Sequence, residues 1–319
     1  MLDTRTTRRT RTDVLGFLQV AGVYLAIAVI LVFNLVFTPH FATVTNLRLQ
    51  LVQVAPVAIV AIGMALVIAT EGIDLSVGAT MAISASLLPL YLGYGVWAAM
   101  AIALAAGVVV GAVNGSLVAF AGMQPIIATL GVLVAGRGLA LVFADGRLTE
   151  MFDPTLDALG NAAVLGLPIS VVLVLVLTGT AGLAVHRTAF GRHVLATGGN
   201  RAAATLAGLP VKGTLVTVYV LSGVLAAVAG VLTTARQGAS DPSFVGLLIE
   251  LSAITAVVVG GTPLSGGRVR ILGTLMGALL MQLITATVIQ QNLPDSTARM
   301  IQASIIVAAV YIQRGRSAA

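Results

Sequence analysis

Residues 50–78 read QLVQVAPVAIVAIGMALVIATEGIDLSVG, and from Gln50 to Thr70 no residue is charged. A helix rises 1.5 Å per residue, so about 20 apolar residues cross the ~30 Å hydrocarbon core of a bilayer. The stretch is therefore a membrane-spanning helix. Immediately after it the chain turns polar and Gly-rich, Thr70-Glu71-Gly72-Ile73-Asp74, before apolar character resumes near Val77. Non-helical backbone survives at membrane depth only where protein or a polar cavity surrounds it. A second polar, Gly-rich break lies at 260–268.

Working outward, the same alternation predicts spans at 14–37, 50–70, 76–93, 95–121, 124–144, 167–186, 213–236, 245–261, 270–291 and 298–313. The expected fold is all-α, a polytopic membrane helix bundle of about ten transmembrane helices. The composition agrees: 58% of the 319 residues are hydrophobic and 9% are charged, against about 25% charged in soluble domains. So few charges do not cover a water-facing globule. The N-terminal run Val14–Phe37 is longer than the roughly 7–15-residue core of a signal peptide, and Thr38-Pro39-His40-Phe41 follows it. It reads as the first span.

The net charge of +6 is a topology signal. With the N-terminus inside, the inner segments hold Arg5, Arg8, Arg9, Arg11, Arg187, Arg192, Arg201, Lys212, Arg268, Arg270, Arg314 and Arg316, 12 of the 17 basic residues. The outward loops hold Asp145, Glu150, Asp153, Asp157, Asp241 and Asp295. That bias follows the positive-inside rule and gives no reason to expect a nucleic-acid partner. The expected organisation is a cytoplasmic tail at 1–13, one transmembrane domain at 14–313 and a cytoplasmic tail at 314–319.

The longest inner loop, 187–212, contains a short helix of its own. Gly198-Gly199 is expected to break the chain, Asn200 to cap a helix over Arg201–Ala207, and Gly208 to stand at its C-terminal left-handed position, with Pro210 beyond. This element is either a connector or a knob that docks into a partner. The small side chains of Ala202, Ala203 and Ala204 would let that partner's backbone come close.

Several chemistries are missing. The chain has no Cys, which excludes disulfides and thiolate metal sites, and His40, His186 and His193 are not spaced as a metal set. Lys212 is the only Lys and Val211 precedes it, so there is no Gly-Lys-[Ser/Thr] phosphate loop. No nucleophile–base constellation is evident. Transport, not catalysis, is the default for such a chain. The candidate path residues are the polar ones inside the spans, which are costly in lipid: Glu71, Asp74, Asn114, Gln124 and Arg137, with Gln282 and Glu250 as weaker candidates. Each could instead serve packing; Arg137, for example, could pair with a carboxylate and hold helices together. Two intramembrane carboxylates also keep open a proton-coupled secondary carrier using Glu71 and Asp74.

Four stretches in order resemble the permease subunits of bacterial ATP-binding-cassette sugar importers of the ribose/xylose/galactose type. They are Thr70-Glu71-Gly72-Ile73-Asp74-Leu75-Ser76-Val77-Gly78, the Gln-Pro-Ile-Ile-Ala-Thr-Leu-Gly string at 124–131, the Gly-Arg-His…Gly-Gly-Asn…Ala-Gly loop at 191–208, and Glu250 to Arg268. The run 55–78 and Val-Ala-Gly-Arg-Gly at 134–138 look closest to galactofuranose-type permeases. The resemblance implies an inner-membrane subunit with both termini cytoplasmic, paired with a second permease subunit in a homodimer or heterodimer. It implies a separate ABC ATPase subunit that holds ATP and Mg, so no cofactor in this chain. A periplasmic or extracellular sugar-binding protein would deliver a monosaccharide; a nucleoside or polyol is the alternative within the superfamily. The ATPase-docking set would be Gly199, Asn200, Arg201, Ala202, Ala203, Ala204, Leu206 and Gly208. The chain departs from the family pattern at Glu71, where Gly is usual, at Val269, and at Arg201-Ala202.

Overall fold

A computed structural model describes residues 22–294, 296–305 and 307. The predicted N-terminal tail, the first part of span 14–37, Asp295, the end of span 298–313 and the C-terminal tail lie outside the described residues. The helices are α1 (Gly22–Phe37), α2 (Val44–Ala69), α3 (Val77–Tyr91), α4 (Val96–Ala119), α5 (Pro125–Phe143), α6 (Pro154–Asn161), α7 (Ile169–Arg187), α8 (Ala189–Gly199), α9 (Arg201–Leu206), α10 (Val211–Gln237), α11 (Ile249–Val259), α12 (Ile271–Gln290) and α13 (296–305). Two small antiparallel ribbons lie outside the bundle: β1 (Thr149–Glu150) pairs with β4 (Ala239–Ser240), and β2 (Ala163–Val164) with β3 (Leu167–Pro168).

Among the described residues, seven helices are long and apolar enough to cross a membrane: α2, α3 with its following 3-10 turn, α4, α5, α7, α10 and α12. The polytopic bundle expected from the sequence is what forms, with the helix count approximate. The remaining predicted spans fall on shorter helices, α1, α11 and α13. Span 245–261 is curtailed because Leu248 takes a left-handed conformation and helix begins only at Ile249.

Burial separates centre from rim. The apolar stretch of α2 is 78% buried and that of α10 is 67% buried, against 22% for α5 and α7. α2, α10 and α3, which is also 67% buried, are therefore the centre, and α5 and α7 turn broad faces to lipid. α10 packs most closely on α4, through Gly107, Gly111 and Gly115. A Cβ on Gly107 would stand 2.7 Å from the Ala227 Cβ, and one on Gly115 would stand 2.7 Å from the Val216 Cα. Small residues at four-residue spacing let two backbones approach, which drives association where lipid removes the hydrophobic advantage.

The inner loop differs from its expected form. Gly198 and Gly199 do not break the chain; they are the last turn of α8, and helix runs without pause to Asn200. The reason is tertiary. A Cβ on Gly198 would run into the Ala69 carbonyl at the end of α2 and stand 2.8 Å from the Gly267 amide nitrogen. Gly198 thus serves a close backbone approach.

Candidate functional site

The two Gly-rich breaks share one local cause. At the end of α2, the Gly72 amide donates to the Val67 carbonyl at 3.1 Å and the Glu71 amide to the Ile68 carbonyl at 3.0 Å. At the end of α11, the Thr262 amide donates to Val257 and the Gly261 amide to Val258, each at 3.1 Å. Both are Schellman terminations, which need a left-handed residue at the turn. Gly261 supplies it with φ +88°, and Glu71 takes it with φ +62°. The two breaks are thus the same kind of helix stop, and Glu71 takes at the first the left-handed place that Gly261 takes at the second.

Beyond the first stop, residues 73–78 form a hub. Asp74 is buried. Its Oδ1 accepts from the Ser76 amide at 3.0 Å and the Ser76 hydroxyl at 2.6 Å, and its Oδ2 accepts from Ser222 of α10 at 2.8 Å. Asn114 of α4 donates to the Ser76 Oγ at 2.7 Å. Thr129 of α5 donates to the Ile73 carbonyl at 3.1 Å. Tyr219, one turn before Ser222 on α10, is fully buried, and a Cβ on Gly72 would stand 2.6 Å from its hydroxyl. The other side of the hub faces Arg137. Its guanidinium donates to the carbonyls of Val245 at 2.7 Å, Gly246 at 2.5 Å and Pro242 at 3.3 Å. The buried Glu250 carboxylate of α11 lies alongside: a Cβ on Gly78 would be 2.6 Å from Glu250 Oε2 and 3.1 Å from Arg137 Nη2. The first turn of α3 is therefore gripped by α4, α5, α10 and α11, and glycine at 78 leaves room for that grip.

The structure thus brings three of the five candidate path residues, Asp74, Asn114 and Arg137, to one hub. The other two lie apart: Glu71 and Gln124 are exposed. Sequence reading missed Ser76, Ser222 and Tyr219, because Ser and Tyr in an apolar helix carry no charge to attract notice. Serine spaced two residues after an Asp is the available signal, since that pair forms an Asx turn.

The short helix of the inner loop forms as expected. Asn200 is its N-cap, accepting from the Ala203 amide at 2.9 Å. Gly208, φ +75°, closes it: the Leu209 amide donates to Ala204 and the Gly208 amide to Thr205, both at 3.0 Å. Ala204 is buried against the bundle, whereas Ala202, Ala203 and Gly208 are exposed, as are Gly199 and Asn200 before them, and Leu206 is 90% exposed. Arg201 is half-buried. An apolar tip thus projects from a doubly capped helix, and α8 ties it to the end of α2. The Gly267 amide donates to the Ala69 carbonyl at 3.0 Å in the same place, so α2, α8 and the loop after α11 meet backbone to backbone. Among the described residues no cluster of His, Cys, Asp and Glu is arranged to hold a metal.

Comparison with known proteins places this arrangement. The chain is 41% identical over 236 residues to a fructose import permease protein of Bifidobacterium longum (strain NCC 2705), covering 72% of this chain and 66% of that relative. It is 37% identical to the galactofuranose transporter permease protein of Escherichia coli (strain K12), covering 83% of this chain and 78% of that relative. It is also 37% identical to the ribose import permease protein of the same strain, covering 90% and 91%. No solved structure matches the chain. Residues 46–310 match the family model described as branched-chain amino acid transport system / permease component. With that match spanning most of its length, this multi-pass membrane chain belongs to that family of transport-system permease components.

Proposed function

We propose that this chain is the membrane permease subunit of an ATP-binding-cassette importer that moves a monosaccharide into the cytoplasm, driven by ATP hydrolysis on a separate subunit. The observation that carries the sugar reading is the set of relatives at 37–41% identity, which are named for fructose, galactofuranose and ribose. The family label mentions branched-chain amino acids. A zwitterion's ammonium group is best met by a free carboxylate, and of the two buried carboxylates at the hub Asp74 is already engaged. Asp74 is held by two serines, and Glu250 lies beside Arg137.

In this reading α9 is the docking knob for the ATPase. Leu206 and the exposed faces of Ala202 and Ala203 enter a cleft of the partner, with Gly199, Asn200, Arg201, Ala204 and Gly208 shaping the knob. Displacement of the knob passes through Gly198 to the end of α2 and so to residues 73–78. The hub is the element whose position switches access, and Asp74, Asn114 and Arg137 hold it in register. In this reading the chain lies in the bacterial inner membrane with both termini cytoplasmic, which the basic inner segments support. A second permease subunit and a periplasmic or extracellular sugar-binding protein complete the importer, and ATP and Mg sit in the ATPase.

Uptake by membrane vesicles carrying the assembled importer tests the proposal. Ribose and fructose uptake should persist when the proton gradient is collapsed with ATP present, and should stop when ATP is withdrawn. Uptake that follows the gradient instead would make the chain a proton-coupled carrier using Glu71 and Asp74.

A further inference from the structure

Away from the hub, the N-terminal half of α2 carries a second set of polar side chains within a spanning helix. Gln282 of α12 donates its amide hydrogens to Gln50 Oε1 and Gln53 Oε1 of α2, both at 2.8 Å. All three glutamines are half-buried. Amides left facing hydrocarbon are unfavourable, and these three only partly satisfy one another. The Gln282 carbonyl and the Gln53 amide hydrogens remain for a ligand, an acceptor beside donors.

Gln53 also borders an open cavity of about 520 Å³, within the roughly 300–1,000 Å³ of small-molecule sites. Thr45, Arg48, Asn161 and Arg236 line it, with no carboxylate in the lining. No described residue hydrogen-bonds or ion-pairs with the guanidinium of the half-buried Arg236. Just past Gln53 the helix closes: every residue from Ala58 to Ala69 is buried. The cavity thus lies at the end of the bundle away from α9.

An ammonium group in this cavity would meet two guanidinium groups and no carboxylate. A hydroxyl accepts from a guanidinium or amide N–H and donates to an amide carbonyl, which is what the lining offers. No aromatic ring lines it, so a sugar would be held by hydrogen bonds alone, weakly enough to move on.

We infer that this cavity is the first station in the membrane for a neutral polyhydroxylated solute. Gln53 and Arg236 contact its hydroxyls, and Gln50 and Gln282 position Gln53. The inference rests on the monosaccharide reading above and names where that sugar enters.

The absence of native Cys makes the test direct. Gln53→Cys is introduced into the assembled importer, in vesicles that keep the outer face outward, with Val54→Cys as a buried control. Labelling by a membrane-impermeant thiol reagent is followed with sugar-free binding protein and again with ribose or fructose added, and uptake is measured in parallel. The expected result is labelling of Gln53→Cys and not of Val54→Cys, slowed at least fivefold by the sugar. In an importer that takes up sugar, failure of Gln53→Cys to label, or labelling the sugar does not slow, overturns this site and leaves the proposed function standing. A wild-type importer that takes up no monosaccharide overturns both.

Discussion

Glu71 shows how a helix stop can be made without glycine. The Schellman stop of α2 puts it at φ +62°, a conformation that costs a non-Gly L-residue about 1 kcal/mol. Its side chain is exposed, so no burial or enclosed hydrogen bond offsets that cost. Glu71→Gly is expected to stabilise the chain by about 0.5–1 kcal/mol, seen as a higher melting temperature in detergent with sugar uptake unchanged. A loss of uptake would show that the Glu71 carboxylate takes part in transport. Asp74, three residues on, is the opposite case. It is buried and accepts three hydrogen bonds, and those acceptors fix the start of α3.

At the scale of the element, α9 is six residues long, too short to persist by propensity. It is held by an N-cap at Asn200 and a Gly stop at Gly208. Its two faces differ: Ala204 is 5% exposed, whereas Ala203 faces out. Ala203→Trp should leave the melting temperature unchanged and reduce ATP-coupled uptake at least tenfold by blocking the ATPase cleft. Normal uptake by this variant would sink the docking role. The fold of the knob was legible in the sequence because capping is local chemistry. The helical path of α8 through Gly198-Gly199 was not, because it depends on backbone contributed by α2 and by the loop after α11.

At the scale of the molecule, three segments far apart in sequence meet at Gly198, and in the proposed function that junction is the route from the knob to the hub. Gly198→Ala would place a methyl group against the Ala69 carbonyl and the Gly267 amide; overpacking of this kind costs about 1–3 kcal/mol. The variant should melt lower and, where it still assembles, hydrolyse ATP without moving sugar. Gly213→Ala on α10 is its control, since nothing lies within 4 Å of a Cβ there. Equal behaviour of the two variants would remove Gly198 from the coupling route.

By itself the sequence determined that this chain lies in a membrane, where most of its spans run, where the knob is capped and which loop is basic. Each of these is set within a window of about 20 residues by hydropathy, charge or capping, and needs no knowledge of neighbours. Only the tertiary structure decided which polar residues act together. Ser222 reaches Asp74 across 148 residues and Gln282 reaches Gln50 across 232, and no local pattern encodes such a meeting. In lipid every buried polar group must find a partner inside the protein, so the packing of helices, and not the order of residues, chooses that partner.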